Sequence, residues 1–479
     1  MNIKKLLIII SLFFISNYIY SQKDTGYKIS VKYNGQVADT CYLGYYHGRF
    51  QYSKDTAYFD KKGLAVFENN DESLNRGVYF IILPNKRHFD IIIVQEQVFS
   101  IEIDTSDIIG SMKIKGSVEN ERFVNYNKSM VVLSQKMTEL KELEQKYSEN
   151  EHDSIVIIKD EISATLKQMT ELKENFVEKY PESFTTKIFL ITKDPEIPES
   201  PILEDGEINS SFSYYYYKNN YFKHIDLTDD AIVRTPVFHS RLEKFFTSVI
   251  AQYPDTIIYE IDKLTSKVED VPELFKYIVW FLTYHYETSQ IMGFDAVFVY
   301  MAETYYKTDR AFWASETVKS KIIEKAEKTK PLLLGKVAPN MALMDTSLQN
   351  YIPLHNIRAN YLIMLFWEPD CGHCKKEIER LNNFYTENKE KYGLMVYSVC
   401  TDTNLTKWKK LIDEKDIANW INVNATRSAL GHYQELYDMF STPTIYLLDK
   451  SKKIIAKRLG AEGVVNFIPK HYANKKERE

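Results

Sequence analysis

The stretch Trp367-Glu368-Pro369-Asp370-Cys371-Gly372-His373-Cys374-Lys375-Lys376-Glu377 decides how the last third of the chain folds. Before it, Tyr361-Leu362-Ile363-Met364-Leu365-Phe366 is an apolar run of strand length, and after it Ile378, Leu381 and Tyr385 recur at helical spacing. Cys371-Gly372-His373-Cys374 therefore caps a helix that starts directly out of a buried strand. Free amide donors and the helix dipole at such a junction favour negative charge, which lowers the pKa of the first thiol and populates its thiolate. Cys371 is the expected nucleophile. Cys374 lies one turn inside, in line with Ile378 and Leu381, so it faces the core and attacks a mixed disulfide from within. It is the expected resolving thiol.

Other uses of two such thiols have different requirements. Half of a zinc site would need two more ligands nearby, and no second CxxC or HxxxH pair follows, so no metal is expected. Haem attachment requires CxxCH, whereas residue 375 is Lys, and no other cofactor is implied. A purely structural disulfide stays open, although thiols at a strand-to-helix turn are the redox arrangement. His373 between the cysteines can stabilise the Cys371 thiolate, making the disulfide more oxidising than a Gly-Pro pair would.

From about Gly335 to the end, the chain resembles a thioredoxin-fold domain of the TlpA/ResA-like thiol-disulfide oxidoreductases of bacterial envelopes. The features agree in order: Gly335-Lys336-Val337-Ala338-Pro339 at the start, Phe366-Trp367 before the motif, the CxxC itself, and Ser441-Thr442-Pro443-Thr444 far downstream. The resemblance implies that Pro443 is cis and packs beside the disulfide, so that Thr442 and Pro443 present backbone groups to an extended substrate strand. Trp367, before the motif, is expected with His373 to tune the thiolate. Thioredoxin itself carries a buried Asp in the strand before the motif, where this chain has Leu365; ResA-like members instead have a Glu three residues after the second Cys. Glu377 stands there, at the helical i, i+3 distance from which it can take the proton of Cys374. A solvated Glu stabilising the first helical turn is the alternative. A peroxidase of the peroxiredoxin kind would place a single Cys in a Thr-containing turn, and the double-thiol motif argues against it.

At the start of the chain, Lys4-Lys5 precedes a continuous apolar run from Leu6 to Ile15 and then small and polar residues up to Ser21. This is the pattern of a secretory signal over residues 1–21, with cleavage expected after Ser21; an uncleaved signal would act as an anchor instead. Export places the protein in the periplasm or cell envelope. Four cysteines in 479 residues are too few to staple an exported chain, so its stability must come from apolar cores, which 44% hydrophobic residues permit. The net charge of −5 gives no basic patch for nucleic acid, and partners are expected to be proteins.

The length predicts about three domains. Over residues 22–117 the period is two, with Tyr27, Ile29, Val31 and Tyr33 and then Phe99, Ile101 and Ile103 alternating with polar residues, and turns at Gly63, Gly77 and Pro84-Asn85. The expectation is an all-β sandwich or barrel. Its spacing resembles a domain of unknown function that recurs ahead of envelope thioredoxin-like domains; Cys41 is expected there as a buried small apolar residue. Residues 118–330 change to helical period and form an all-α domain of unknown function, opening with two long antiparallel helices. Tyr214-Tyr215-Tyr216-Tyr217 with Tyr221-Phe222 is expected at a seam between helices. Pro236 and Pro272 fit first-turn positions, His224 and His285 lack a partner at metal-ligand spacing, and Lys325 to Lys330 is a charged bridge. Residues 331–479 complete a multidomain chain with an α/β thioredoxin fold, in which Cys400 ends a core strand; a fragment from about Lys330 should fold and reduce a small disulfide alone.

The functional expectation is an envelope thiol-disulfide oxidoreductase, a reductase by resemblance, acting on thiol- or disulfide-bearing envelope proteins and reset by a membrane thiol-disulfide donor. The alternatives are a disulfide oxidase or isomerase, and an envelope partner-binding protein with incidental thiols.

Overall fold

A computed structural model describes residues 26–34, 39–147, 152–204, 207–437, 439 and 441–477. The signal expected over residues 1–21 lies outside them. The chain divides into two compact units, one running to Val249 together with Asp270–Leu274, the other comprising Ile250–Glu269 and Phe275 onward. The segment 118–330, expected as one helical domain, is thus divided between them.

The first unit opens with eight strands: β1 (Tyr27–Asn34), β2 (Thr40–His47), β3 (Phe50–Tyr58), β4 (Leu64–Asn69), β5 (Gly77–Ile82), β6 (His88–Ile93), β7 (Val98–Asp104) and β8 (Lys113–Lys115). They form two four-stranded sheets in the orders β4-β1-β7-β8 and β3-β2-β5-β6. One core takes the alternating side chains of both, Ile29, Val31 and Ile101 from one sheet and Leu43, Ile81 and Ile91 from the other. The architecture is a sandwich, and Cys41 is buried in it.

Two long helices follow, α1 (Val118–Lys146) and α2 (His152–Lys179). Ser117 caps α1 by accepting from the Asn120 N–H, and Tyr126 on α1 meets Phe176 near the far end of α2 at 5.6 Å, the geometry of an antiparallel pair. Shorter helices α3 (Phe184–Ile191), α4 (Phe212–Asn220) and α5 (Phe238–Lys244) complete the unit. The aromatic cluster forms the expected seam only in part, where Tyr221 and Phe222 meet Phe245. Helix α4 buries no residue, Tyr215 is 53% exposed, and only Tyr221 beyond its end is enclosed, stacked on Arg241 and Phe245. Four tyrosines in succession point round the whole helix, so a short helix cannot bury them all. Pro236 sits in the turn before α5, not in its first turn.

In the second unit, α6 (Pro254–Thr265), α7 (Pro272–Thr288, from Phe275 on), α8 (Asp295–Met301) and α9 (Glu316–Thr329) lead into a seven-stranded sheet. Pro272 opens α7 as expected. The expected charged bridge is instead the last turn of α9 continued by a 3-10 turn over Lys330–Leu332. The sheet comprises β9 (Ala342–Asp345), β10 (Tyr351–Pro353), β11 (Tyr361–Trp367), β12 (Leu394–Cys400), β13 (Ile421–Leu430), β14 (Thr444–Asp449) and β15 (Ile454–Lys457), in the order β10-β9-β13-β12-β11-β14-β15. Strands β11, β12 and β13 pair in parallel, whereas β14 and β15 return antiparallel.

Strand β11 is buried along its whole length because both sheet faces are covered. Ile363, Leu365 and Trp367 enter the core under α10 (Gly372–Tyr392) and α12 (Ala461–Lys476), while Leu362, Met364 and Phe366 enter the opposite one. Each such side chain contributes about 1.5–3 kcal/mol by leaving water. The remaining long helix, α11 (Leu405–Glu414), buries Trp408, Leu411 and Ile412 against the first of these cores.

Candidate active site

Strand β11 ends at Trp367, and the chain turns at once into α10. Cys371 is the N-cap of that helix, extended at φ −77° and ψ 112°, and its sulfur accepts the backbone N–H of Cys374 at 3.1 Å. A cysteine sulfur thus occupies the place usually filled by a Ser or Asp oxygen, where unpaired helix amides favour an anion. The helix continues with its buried stripe Cys374, Ile378, Leu381 and Tyr385, and stops at Gly393, whose φ of 63° is left-handed and suits a residue without Cβ.

Cys371 and Cys374 are joined as a disulfide, with Cα atoms 5.2 Å apart. Cys371 is partly buried and Cys374 fully so, leaving the first sulfur the more accessible of the two. The Thr442–Pro443 peptide bond is cis, and the Thr442 carbonyl oxygen lies 3.7 Å from the Cys371 sulfur. The two segments that the sequence keeps about seventy residues apart are therefore neighbours.

The other expected residues fall at different distances from the sulfurs. His373 is exposed in the first turn of α10. Trp367 is a wholly buried core ring whose indole N–H donates to Ser398 Oγ at 2.8 Å, and it shares the core of Cys374. Glu377 is half-buried on α10, and its carboxylate accepts the backbone N–H of Ala461, the first residue of α12. It therefore caps a helix other than its own. Nothing in the sequence pattern signalled that role, nor that of Ser398, since both depend on contacts between distant segments.

Charge around the motif is paired at the surface. Lys407 donates to Asp370 at 2.5 Å, and that hydrogen bond holds the Asp370 carboxyl below the usual range. Cys400, in register with Trp367, is a separate buried thiol that burial pushes up to about 12, so it is un-ionised at neutral pH. Among the described residues, no three His, Cys, Asp or Glu side chains gather where they could hold a metal ion.

Comparison with known proteins agrees with this geometry. Residues 334–457 match the AhpC/TSA family. The thiol-disulfide oxidoreductase ResA of a Bacillus cereus strain is 26% identical over 137 residues, which are 29% of this chain and 75% of that protein. Among solved structures, a domain of a possible thiol-disulfide isomerase from Cytophaga hutchinsonii is 37% identical, covers 31% of this chain and 98% of its own, and has a TM-score of 0.29. A thioredoxin-like protein from Bacteroides caccae covers 58% of this chain and 99% of its own at 18% identity, with a TM-score of 0.45. With the CxxC pair at the mouth of α10 and this match, residues 334–457 are a thioredoxin-like domain of the AhpC/TSA family, homologous to thiol-disulfide oxidoreductases of the ResA kind, at the end of a longer chain with β and helical regions of its own.

Proposed function

We propose that the chain is an envelope protein-disulfide oxidoreductase that works through Cys371 and Cys374 and acts as a reductase of target proteins. The observation that carries this is the placement of one sulfur at a helix N-terminus, partly open, with the second sulfur buried beneath it. In the reduced protein the Cys371 thiolate attacks one sulfur of a target disulfide. A Cys371–target bond forms as the target bond breaks, and the departing target sulfur leaves as a thiolate that takes up a proton. Cys374 then loses its proton and attacks the Cys371 sulfur, forming the 371–374 disulfide and releasing the second target thiolate. Two electrons have passed to the target, and a membrane-held dithiol donor returns two to the enzyme.

Thr442 and Pro443 present the backbone beside the sulfur along which an extended target strand would lie. The envelope placement rests on the signal-like pattern of Lys4-Lys5 and the apolar run from Leu6. Among the described residues no helix is long and apolar enough to cross a membrane.

Replacing Cys374 with Ser removes the resolving sulfur while leaving Cys371 able to attack. Adducts between Cys371 and target proteins should then accumulate in cells, and their absence would contradict exchange. His373 supports a second direction of flow, oxidation or isomerisation, because a neighbouring imidazole stabilises the reduced form. The potential of the 371–374 couple separates the two: a reductase is expected near about −270 mV, and a value near about −120 mV would make the protein an oxidant.

A further inference from the structure

Where β11 and β12 begin, at the end of the sheet away from Cys371, the second unit holds a cavity of about 710 Å³, within the size range of ligand pockets. Helix α10 starts at the thiol pair and its last turn lines this cavity, so about 30 Å separates the two at 1.5 Å per residue.

Six titratable side chains line the cavity: His355 and Arg358 ahead of β11, Lys389 and Glu390 on α10, and Lys450 and Lys452 in the turn between β14 and β15. The His355 ring is engaged through Nε2 with the Ala338 carbonyl at 2.8 Å. With that ring neutral, four positive charges face one negative charge, on a chain whose net charge is −5. Lysines near the thiols are matched, Lys407 with Asp370 and Lys415 with Glu379. Among the described residues Arg358, Lys389 and Lys450 form no ion pair, with Glu390 or with any other carboxylate.

Part of this charge has a structural use. Lys389 stands in the last turn of α10, where a cation offsets a helix-end charge of about half a unit. Lys452 is 6% exposed, and its ammonium donates to the Ile357 carbonyl, itself on the cavity wall, at 2.6 Å. An ammonium has three donors, and that carbonyl is the one hydrogen-bond partner of Lys452 among the described residues. Asp449 acts on it only through charge, and Asp449 Oδ1 accepts the backbone N–H groups of Ser451 and Lys453. Burial therefore lowers the Lys452 pKa. The Lys452 backbone is also left-handed, at φ 63°, a conformation that a side chain with a Cβ adopts at a cost. Buried charges are ordinarily paired, and a buried ammonium without a carboxylate, on a wall shared with three unmatched cations, points to an anion that completes the site.

A cation would be repelled there, and a single carboxylate would match only one of the charges. A di- or polyphosphate brings three or more charges on adjoining oxygens, and a guanidinium can bind two phosphate oxygens at once. We propose that this cavity binds a phosphate-bearing polyanion, held by Arg358, Lys389, Lys450 and Lys452. The site is separate from the exchange chemistry and does not depend on it.

The test titrates the full chain with inorganic pyrophosphate in a calorimeter at constant ionic strength, with acetate as the singly charged control. One saturable site is expected for pyrophosphate and none for acetate. Arg358→Gln and Lys450→Gln each remove one charge from an exposed side chain, so the fold is kept, and each should weaken binding about tenfold, as loss of a charge-assisted hydrogen bond does. Lys61→Gln, in an exposed turn of the β-sandwich, removes the same charge outside the cavity and should change nothing. Cosedimentation with phosphatidylglycerol vesicles, against phosphatidylcholine, separates the two sources of such a phosphate. A lipid headgroup would bring the chain down and Arg358→Gln would release it, whereas a free ligand leaves the chain in solution. Absence of saturable pyrophosphate binding, or equal weakening by Arg358→Gln, Lys450→Gln and Lys61→Gln, would overturn the site.

Discussion

The backbone N–H of Cys374 lies 3.1 Å from the sulfur of Cys371, so one sulfur caps the helix that carries the other. Structure and chemistry share an interaction there. A helix N-terminus favours negative charge, so a thiolate of Cys371 would accept that N–H more strongly than the disulfide sulfur does.

Glu377 tests whether a carboxylate near the buried thiol moves protons or only holds structure. Its oxygen accepts the Ala461 N–H at the start of α12, a bond that a glutamine oxygen can also accept. Glu377→Ala should lower stability by about 0.5–2 kcal/mol, as loss of a helix cap does. Glu377→Gln should keep that stability yet slow the release of mixed disulfides if the carboxylate takes the Cys374 proton. Urea unfolding and single-turnover kinetics of both variants separate the roles; an unchanged rate in Glu377→Gln would leave Glu377 as a cap alone.

Lys457, at the end of β15, is buried with its ammonium on Asp295 and donates to the Leu332 carbonyl at 2.5 Å. Removing one member strands a buried charge, so Asp295→Leu or Lys457→Met alone should cost about 3–5 kcal/mol, while the pair together should recover most of it. A fragment beginning at Lys330 lacks Asp295, and also Ser289, whose carbonyl accepts from Arg458 at 3.1 Å. One beginning at Ile250 keeps both. The longer fragment is expected to melt higher, and calorimetry of the two checks it.

The two thiols outside the motif carry a pH dependence with a defined sign. Burial pushes Cys41 and Cys400 from the ordinary value of 9.0 up to about 12. Below pH 9 neither state ionises and their contribution is fully present. Between about pH 9 and about 12 the unfolded chain loses protons that the folded chain keeps, so stability falls. The Cys41→Ala, Cys400→Ala double variant should lose less stability over that window than the parent in denaturant titrations. Neither thiol should react with iodoacetamide in the native protein at pH 8.

How far the sequence reached depends on the distance over which each feature is determined. Strand β11, the turn at Cys371 and helix α10 follow from adjacent residues, because an apolar run gives way to a stripe of Ile378, Leu381 and Tyr385 within one segment. The alternation of Tyr27, Ile29 and Val31 likewise sufficed for a sandwich strand. Glu377 and Ala461 are 84 residues apart, and Lys457 and Asp295 are 162 apart, and no local periodicity encodes either meeting. The same applies to the compact units: α6 to α9 have ordinary helical periods, and only their packing places them with the seven-stranded sheet. Composition misled at Tyr214 and Tyr215, where aromatic density suggested enclosure and the rings are exposed.

The most direct measurement is the pH dependence of alkylation at Cys371 in the reduced full chain, followed by mass spectrometry of the residue-371 peptide. A sulfur held at the mouth of α10 should reach half-maximal reactivity well below the ordinary cysteine value of 9.0. A midpoint at or above that value would contradict a thiolate stabilised by the helix, and with it the exchange chemistry assigned to the pair.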